Sequence, residues 1–217
     1  METLRTIDRV AAKTAPGRPP LFTEAHVIKA LENISLHQTV GRMKLSRDLQ
    51  LGEGETRTLV KHLKNEGLID VSKSGISISA AGKELLSSLR TLLSEQMEIP
   101  PTPLTLGSFN VAVRVAGMKD FVKYGLEQRD AAIMAGAKGA TTLVFTNKGL
   151  SLPGTGEDVS KIDSHLLVAL SKLSLKEADV IIIGSADEKI KAELGAKTAA
   201  LELLKTKKGI NTRSSHD

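Results

Sequence analysis

Three prolines stand within four positions of the run EIPPTPLTLG, at Pro100, Pro101 and Pro103. Because proline fixes its φ and lacks a backbone N–H, no helix is expected to continue through this run. Closely spaced prolines favour an extended, semi-rigid connector. The chain has 217 residues, enough for two small domains, so we place the domain boundary here. The predicted division is 1–98, a linker over 99–105, a second domain over 106–205, and a disordered tail over 206–217, where no apolar pattern is present.

Composition narrows the possible classes of function. The absence of cysteine excludes disulfides, thiolate metal sites and cysteine nucleophiles. The five histidines show no metal-ligand spacing, so neither a metal nor a cofactor is expected. Aromatic residues make up 2% of the chain, which argues against single-strand binders that stack bases. The sequence contains neither a run long enough to span a bilayer nor a signal-peptide core, so we expect a cytoplasmic protein without a membrane partner.

The first half of the chain has an informative order of elements. The apolar spacing predicts helix, helix, turn, helix, β-hairpin and helix. We expect Thr23 to cap the first of these helices, with Phe22 and Val27 packed across its start. Alternating apolar residues around Lys73-Ser74-Gly75 predict the hairpin. The last helix is expected to cover AAGKELLSSLRTLLSEQM.

This order is that of a winged helix-turn-helix domain. The stretch LSRDLQLGEGETRTLVKHLKNEGLI resembles the helix-turn-helix core of prokaryotic winged-helix regulators. It shares with them a Leu-Ser-x-x-Leu first helix, a glycine-containing turn, a recognition helix and a closing Leu-x-x-x-Gly-Leu-Ile. The resemblance covers about residues 20–97 and implies that double-stranded DNA is a partner.

The same resemblance assigns DNA contacts to particular side chains. Arg57 is suited to a guanine edge, and Lys61 and Lys64 are suited to phosphates. The side chains expected to face the core are Thr56, Leu59, Val60 and Leu63. The full set of expected contacts is Ser46, Arg47, Glu55, Arg57, Thr58, Lys61, Lys64 and Lys73. Two other interpretations stay open, a helix surface charged only for solubility and a winged helix that binds protein, since Glu53 and Glu55 would repel phosphate.

The second half predicts a two-layer α/β domain with about four strands, so the whole chain is expected to be α+β. The strands are predicted over SFNVAVRVAGM, GATTLVF, a short segment after Asn147-Lys148-Gly149, and DVIIIGS. One helix is expected over GLEQRDAAIMAGA and another from about Glu157 to Leu173. The last helix is expected to begin at Ser185, with Glu188 completing a capping box.

Part of this half, over about residues 109–153, weakly resembles the GAD domain, a module found in some bacterial aspartyl-tRNA synthetases and archaeal amidotransferase subunits. The resemblance depends on a strand–helix–Gly-x-x-Gly–strand order. The whole chain also resembles uncharacterised archaeal proteins that join a winged helix to such a domain. That resemblance implies a fold and assigns no chemistry.

Three further motifs have simpler structural interpretations. Gly154-Thr155-Gly156 could cradle a phosphate, but the acidic Glu157 and Asp158 follow at once, which favours a plain helix cap. The loop GAKG from Gly136 to Gly139 joins a helix to a strand and indicates a tight turn. Asp130 next to Arg129 indicates a surface ion pair. No other catalytic motif is present, so an enzyme is not expected.

These features predict a DNA-binding transcriptional regulator whose second domain binds a small effector or mediates dimerisation. The alternatives are a winged helix fused to a small enzyme domain and an RNA- or tRNA-associated factor. A homodimer is expected because one winged helix covers only a short half-site. The leucine-rich segment from Gly82 to Met97 or an open sheet edge could form its interface.

Overall fold

The protein forms two compact units, Met1–Thr91 and Leu92–Asp217, in a computed structural model that describes residues 2–12 and 19–213, with side chains described as far as residue 207. The boundary precedes the prolines. Strand pairing explains the difference, because Met97–Ile99 pairs with Phe109–Val115 and holds the proline run inside the second unit. The segment predicted as a linker over 99–105 therefore does not join the units.

The first unit contains five α-helices and a two-stranded sheet among its described residues. Its helices are α1 Glu2–Ala11, α2 Glu24–Ser35, α3 Arg42–Leu49, α4 Glu53–Asn65 and α5 Ala80–Leu92. Its strands are β1 Ile69–Ser72 and β2 Gly75–Ile78, which pair antiparallel. The predicted order of helices and hairpin is confirmed, and α1 is an additional helix that the sequence pattern did not predict.

Capping and burial account for the helices of this unit. Thr23 is the N-cap of α2, as expected, and its backbone N–H donates to Nδ1 of His26 at 3.1 Å. Phe22 and Val27 are both buried. Buried leucines of α3 and α4 form the centre of the core, which apolar burial stabilises. These leucines are Leu45, Leu49, Leu59 and Leu63.

His62, on α4, also belongs to this core. Its side chain is 6% exposed, and Nδ1 donates to the carbonyl of Val10 at 2.8 Å. The ring also contacts Phe22 edge to face, with centroids 5.7 Å apart. His62 therefore ties α4 to α1.

The helix α5 ends at Leu92, five positions before the expected Met97. After this point the backbone N–H of Arg114 donates to the hydroxyl of Ser94 at 2.9 Å, which joins the segment to the second unit's sheet. The leucines that suggested a partner helix are buried within the chain itself. These are Leu85, Leu86, Leu89 and Leu93. The excess of leucine thus gives no reason to expect a partner helix here.

The second unit is built on a five-stranded antiparallel sheet. Its strands are β3 Met97–Ile99, β4 Phe109–Val115, β5 Gly139–Thr146, β6 Gly149–Ser151 and β7 Val180–Ala186. They lie in the order β3-β4-β7-β5-β6. The helices are α6 Leu126–Met134, α7 Leu166–Ala169 and α8 Lys189–Arg213. The α+β class is confirmed, and β3 is the strand beyond the predicted four.

The central strand β7 is buried along its whole length, because both faces of the sheet are covered. On one face α8 packs so closely that a Cβ at Gly184 would lie 2.3 Å from the carbonyl oxygen of Ala192. On the other face, Ile181 and Ile183 pack in an apolar cluster with side chains of the segment that contains α7. The unit therefore has three layers, not two.

Three predictions for the second unit are wrong in detail. The helix expected from Glu157 to Leu173 is broken into short turns around α7. Ser185 does not cap α8, because it lies in β7 and its hydroxyl donates to Asn110 Oδ1 at 2.8 Å. The helix α8 continues to Arg213, so the expected disorder is contradicted for 206–213, and 214–217 lie outside the described residues.

Candidate nucleic-acid interface

The turn between α3 and α4 sets the geometry of the candidate site. Gln50 ends α3 in the left-handed region, at φ 50°, and Gly52 caps α4. The Ser46 hydroxyl donates a hydrogen bond to the carbonyl of Leu51 at 2.6 Å and so stabilises the turn. Ser46 is buried. Its side chain is therefore committed to the turn, and the expected phosphate contact by this hydroxyl does not fit the structure.

The recognition helix α4 has the register that the sequence predicts. Its four residues expected to face the core are all buried: Thr56, Leu59, Val60 and Leu63. Three cations project outward from the same helix and are exposed: Arg57, Lys61 and Lys64. Thr58 is half-buried, and its hydroxyl donates back to the carbonyl of Gly54 at 3.0 Å.

A groove of about 470 Å³ lies between α4, the start of α3 and the β1–β2 hairpin. We call it the wing groove; its lining includes Arg42 at the start of α3, Arg57 on α4 and Lys73 at the tip of the hairpin. All three are exposed. None of them has an ion-pair partner within the part of the chain that the structure describes. The lining of the wing groove thus includes three cations and no acidic side chain.

The hairpin is held against the start of α3 by backbone pairing. Val40 and Ile76 exchange two backbone hydrogen bonds, of 2.8 and 2.9 Å. A Cβ at Gly75 would lie 3.1 Å from the carbonyl oxygen of Val40, so the two segments approach closely. This pairing fixes the position of Lys73 relative to Arg42. The pairing of Val40 with Ile76 cannot be predicted from sequence spacing. For this reason Arg42 was not among the expected contacts.

A smaller cavity of about 100 Å³ adjoins the wing groove and contains one acidic side chain. Arg42 and Arg57 line it together with Met43, Glu53 and Thr56. Glu53 stands in the first turn of α4, where a carboxylate is favoured by the helix dipole. Its negative charge opposes phosphate binding at this point.

The other expected contacts lie apart from the wing groove. Arg47 is exposed, with Nε 3.4 Å from the carbonyl of Met43. Glu55 accepts a 3.0 Å hydrogen bond from the backbone N–H of Leu21, so it fixes the segment before α2. This hydrogen bond gives the Glu55 carboxylate a structural role within the first unit. Lys61 and Lys64 extend the positive surface along α4 beyond the groove.

The positive charge of the neighbouring Lys44, unlike that of Arg42, is balanced by a carboxylate of the same helix. Its ammonium group lies 2.9 Å from Oδ2 of Asp48, one helical turn away. Partial burial by itself would raise the pKa of Asp48, but hydrogen bonds from Lys44 and Asn33 outweigh that effect and lower the pKa. Lys44 is therefore engaged by its own helix, in contrast to Arg42.

A helix-turn-helix with an exposed basic recognition helix and a hairpin at its side defines a winged helix-turn-helix domain. Such domains place the recognition helix in the major groove and their flanking elements on the backbone. Residues 26–93 match the family model described as the CggR N-terminal DNA binding domain. Residues 106–203 match a domain of unknown function, DUF4443. The chain therefore joins a CggR-like N-terminal DNA-binding domain to a C-terminal DUF4443 domain.

Two curated relatives are gene regulators by name. The central glycolytic genes regulator of Bacillus subtilis (strain 168) is 26% identical over 133 residues, covering 58% of this chain and 39% of that protein. The regulator of the same name from Priestia megaterium is 32% identical over 92 residues, covering 42% of this chain and 26% of that protein. The chain thus spans well under half the length of these relatives.

A solved structure matches over most of the chain. It is a hypothetical protein from Pyrococcus horikoshii OT3, with a TM-score of 0.65 and 26% sequence identity. The match covers 83% of this chain and 98% of that one. The GAD-like resemblance of the second unit is not tested by these matches and stays a prediction.

The described residues provide neither a group of metal ligands nor a membrane-spanning helix. Within residues 2–12 and 19–213, no three His, Asp or Glu side chains are grouped so that they could hold a metal ion. None of the described helices is long and apolar enough to cross a bilayer.

Proposed function

We propose that this protein is a DNA-binding transcriptional regulator that binds duplex DNA through α4 and the wing groove. The observation that carries the proposal is the convergence of Arg42, Arg57 and Lys73 on one groove without acidic partners in the described chain. By contrast, the charge of the neighbouring Lys44 is balanced by Asp48. Cations lining one concave surface can bind backbone phosphates and release their counterions.

Each basic residue has a distinct proposed role. Arg57, on the N-terminal half of α4, contacts base edges, since its guanidinium can pair bidentately with guanine. Arg42 and Lys73 contact phosphates on either side of the recognition helix. Lys61, Lys64 and Arg47 contribute to the positive surface and, through it, to affinity for any sequence. Ser46 and Glu55 stabilise the domain and are left out of the interface.

We also propose that the regulator is a homodimer. One winged helix covers a short half-site, and two modules at a fixed spacing gain both affinity and specificity. The edge strands β3 and β6 are only three residues long, which limits pairing across a sheet edge. The exposed apolar residues of α6 offer a larger surface; these are Leu126, Ile133 and Met134. Light scattering on the full chain tests this state, and a monomer at micromolar concentration contradicts it.

The second unit is proposed to bind a small effector rather than to catalyse a reaction. Residues 26–93 match the family model of a DNA-binding domain, and the relatives named above are regulators, which supports a regulatory role for the whole chain. A role at RNA or tRNA is supported only by the GAD-like resemblance, and the scarcity of aromatic residues argues against recognition by stacking. We therefore retain duplex DNA as the proposed partner.

A competition experiment separates the two nucleic acids. Full-length protein is bound to a fluorescent duplex DNA drawn from its own genome and challenged with unlabelled duplex or with tRNA at equal phosphate concentration. We expect the duplex to compete more strongly. Stronger competition by tRNA would favour the RNA-associated alternative.

A further inference from the structure

A cleft of about 530 Å³ opens at one end of the second unit's sheet. The segments after β4 and β5 line it, together with the residues just before β7 and the loop that follows β6. Four charged side chains stand around this cleft, two cationic and two anionic. They are Lys119, Asp120, Lys148 and Glu177.

These four charges have no ion-pair partners in the described part of the chain, although all of them are exposed. Elsewhere in the same unit, some exposed charges of opposite sign are paired with each other. Examples are Lys138 with Asp187 at 2.8 Å and Arg129 with Asp130 at 2.8 Å. Opposite charges that line one cleft without joining each other are left available for a ligand.

The backbone beside Glu177 is held in a strained conformation. Ala178 has a φ of 67°, in the left-handed region that disfavours residues with a Cβ. Its N–H donates to Phe145 and its carbonyl accepts from Lys119, at 3.0 and 3.1 Å, so both neighbouring segments hold it in place. Strain maintained by surrounding structure is concentrated at functional sites. Here it fixes Glu177 at the mouth of the cleft.

The loop after β6 forms a preformed wall of the cleft. Gly154 has a φ of 83°, and a Cβ there would lie 2.1 Å from the ring of Tyr124, so only glycine fits. The N–H of Gly156 donates to the carbonyl of Leu152 at 2.9 Å and closes the loop. Asp158, which follows, is turned to its own backbone, because its carboxylate accepts from the N–H of Ser160.

From this arrangement we infer that the cleft binds a small zwitterion of the α-amino acid class. The ligand's carboxylate meets Lys119 and Lys148, and its ammonium group meets Asp120 and Glu177. Apolar side chains of Val122, Val144 and Leu152 also line the cleft and can contact an aliphatic portion of the ligand. A phosphorylated ligand is disfavoured, since two carboxylates would repel it.

This inference deepens the proposed effector role of the second unit, and its regulatory meaning rests on the proposed function. Binding itself does not depend on DNA. Full-length protein is therefore titrated by calorimetry, without DNA, with each standard amino acid, with inorganic phosphate and with succinate. We expect at least one amino acid to bind. Its deaminated and decarboxylated analogues should bind about tenfold more weakly or worse, because each leaves two charges of the cleft without a partner.

Matched variants locate the binding site. Lys148→Met and Glu177→Gln should each weaken binding of that amino acid by about tenfold or more. Lys172→Met and Glu202→Gln alter exposed charges that do not line the cleft, and they should leave binding unchanged. Thermal unfolding of all four variants checks that they fold.

Three results overturn the inference: no amino acid binding at millimolar concentration, phosphate binding at least as tightly, or cleft variants that behave like their controls. DNA affinity is measured separately on the same protein. If no amino acid binds but the protein binds DNA, only the inference about the cleft is wrong, and the proposed regulator function is unaffected. If an amino acid binds but DNA does not, the inference about the cleft holds and the proposed regulator function is wrong.

Discussion

The Ser46 hydroxyl donates a 2.6 Å hydrogen bond to the carbonyl of Leu51, across the turn that joins α3 to the recognition helix. This bond satisfies a carbonyl beyond the end of α3, next to the left-handed Gln50. It therefore helps to set the angle between the two helices. We therefore expect the serine of the Leu-Ser-x-x-Leu pattern to affect DNA binding only through the shape of the domain.

Ser46→Ala should accordingly lower stability more than it lowers DNA affinity. We expect a loss of about 1 kcal/mol in the free energy of unfolding, the usual effect of removing one partly buried hydrogen bond. Chemical denaturation measures this loss. Ser87→Ala, at an exposed position on α5, is the control and should have little effect. A phosphate contact by Ser46 would instead show as weaker DNA binding at unchanged stability.

Arg57 and Lys64 should differ in how they affect sequence preference. Arg57→Ala is expected to cost about 1–3 kcal/mol at the preferred site and to relax base preference there. Lys64→Ala should weaken binding to all sequences about equally, since a phosphate contact carries no sequence information. Binding of both variants to a panel of duplexes tests the distinction. Identical behaviour across the panel would contradict these roles.

Glu53→Gln should strengthen DNA binding several-fold, because its carboxylate lies in the cavity beside Arg42 and Arg57. The change removes a negative charge that opposes phosphate. It should also cost about 0.3–1 kcal/mol of stability, as the first turn of α4 loses a favourable dipole interaction. Fluorescence anisotropy with one duplex measures the affinity. Weaker binding at a single site would show instead that Glu53 accepts a hydrogen bond from cytosine.

The first unit should lose stability as the pH falls from about 6.5 towards 4. Burial, with a smaller contribution from the charge of Lys29, lowers the pKa of His26 to about 4. The unfolded chain takes up this proton near pH 6.5, so it binds more protons than the folded chain across that interval. Stability then falls by up to about 1.4 kcal/mol per pH unit.

His26→Gln isolates this effect, since a glutamine oxygen can accept the hydrogen bond from the Thr23 N–H that Nδ1 accepts in the native chain. Denaturation curves of the variant should lack the His26 contribution to the slope between pH 4 and 6.5. An unchanged slope would show that other groups cause it. The lowered pKa of Asp48 acts below that interval, where its carboxylate takes up a proton.

The elements predicted well are those whose signals are local. The Thr23 cap, the apolar register of α4 and the strand DVIIIGS depend on spacing within one segment, and the structure has all three. Predictions failed where a distant partner decides the outcome. Ser185 has the spacing of a helix cap, but pairing with β4 keeps it in a strand, where it binds Asn110.

The same distinction applies to the candidate site. The sequence predicts that Arg57 is exposed on the recognition helix, because helical periodicity alone determines that position. It could not predict that Arg42 and Lys73 line the same groove, because the contact depends on the pairing of Val40 with Ile76. Their separation of more than thirty positions gives no local signal. Arg42 is therefore a residue that the structure adds to the proposed interface.

The salt dependence of DNA affinity tests the central claim most directly. The full chain and the double variant Arg42→Gln/Lys73→Gln are compared between about 50 and 200 mM salt, with Lys83→Gln/Lys172→Gln as a control of equal charge. We predict that affinity falls steeply with salt, by a logarithmic slope of about 0.9 for each phosphate contacted. The slope of the double variant should be shallower by about 2, and that of the control should be unchanged. Affinity independent of salt, or equal slopes for the two double variants, would contradict DNA binding through the wing groove.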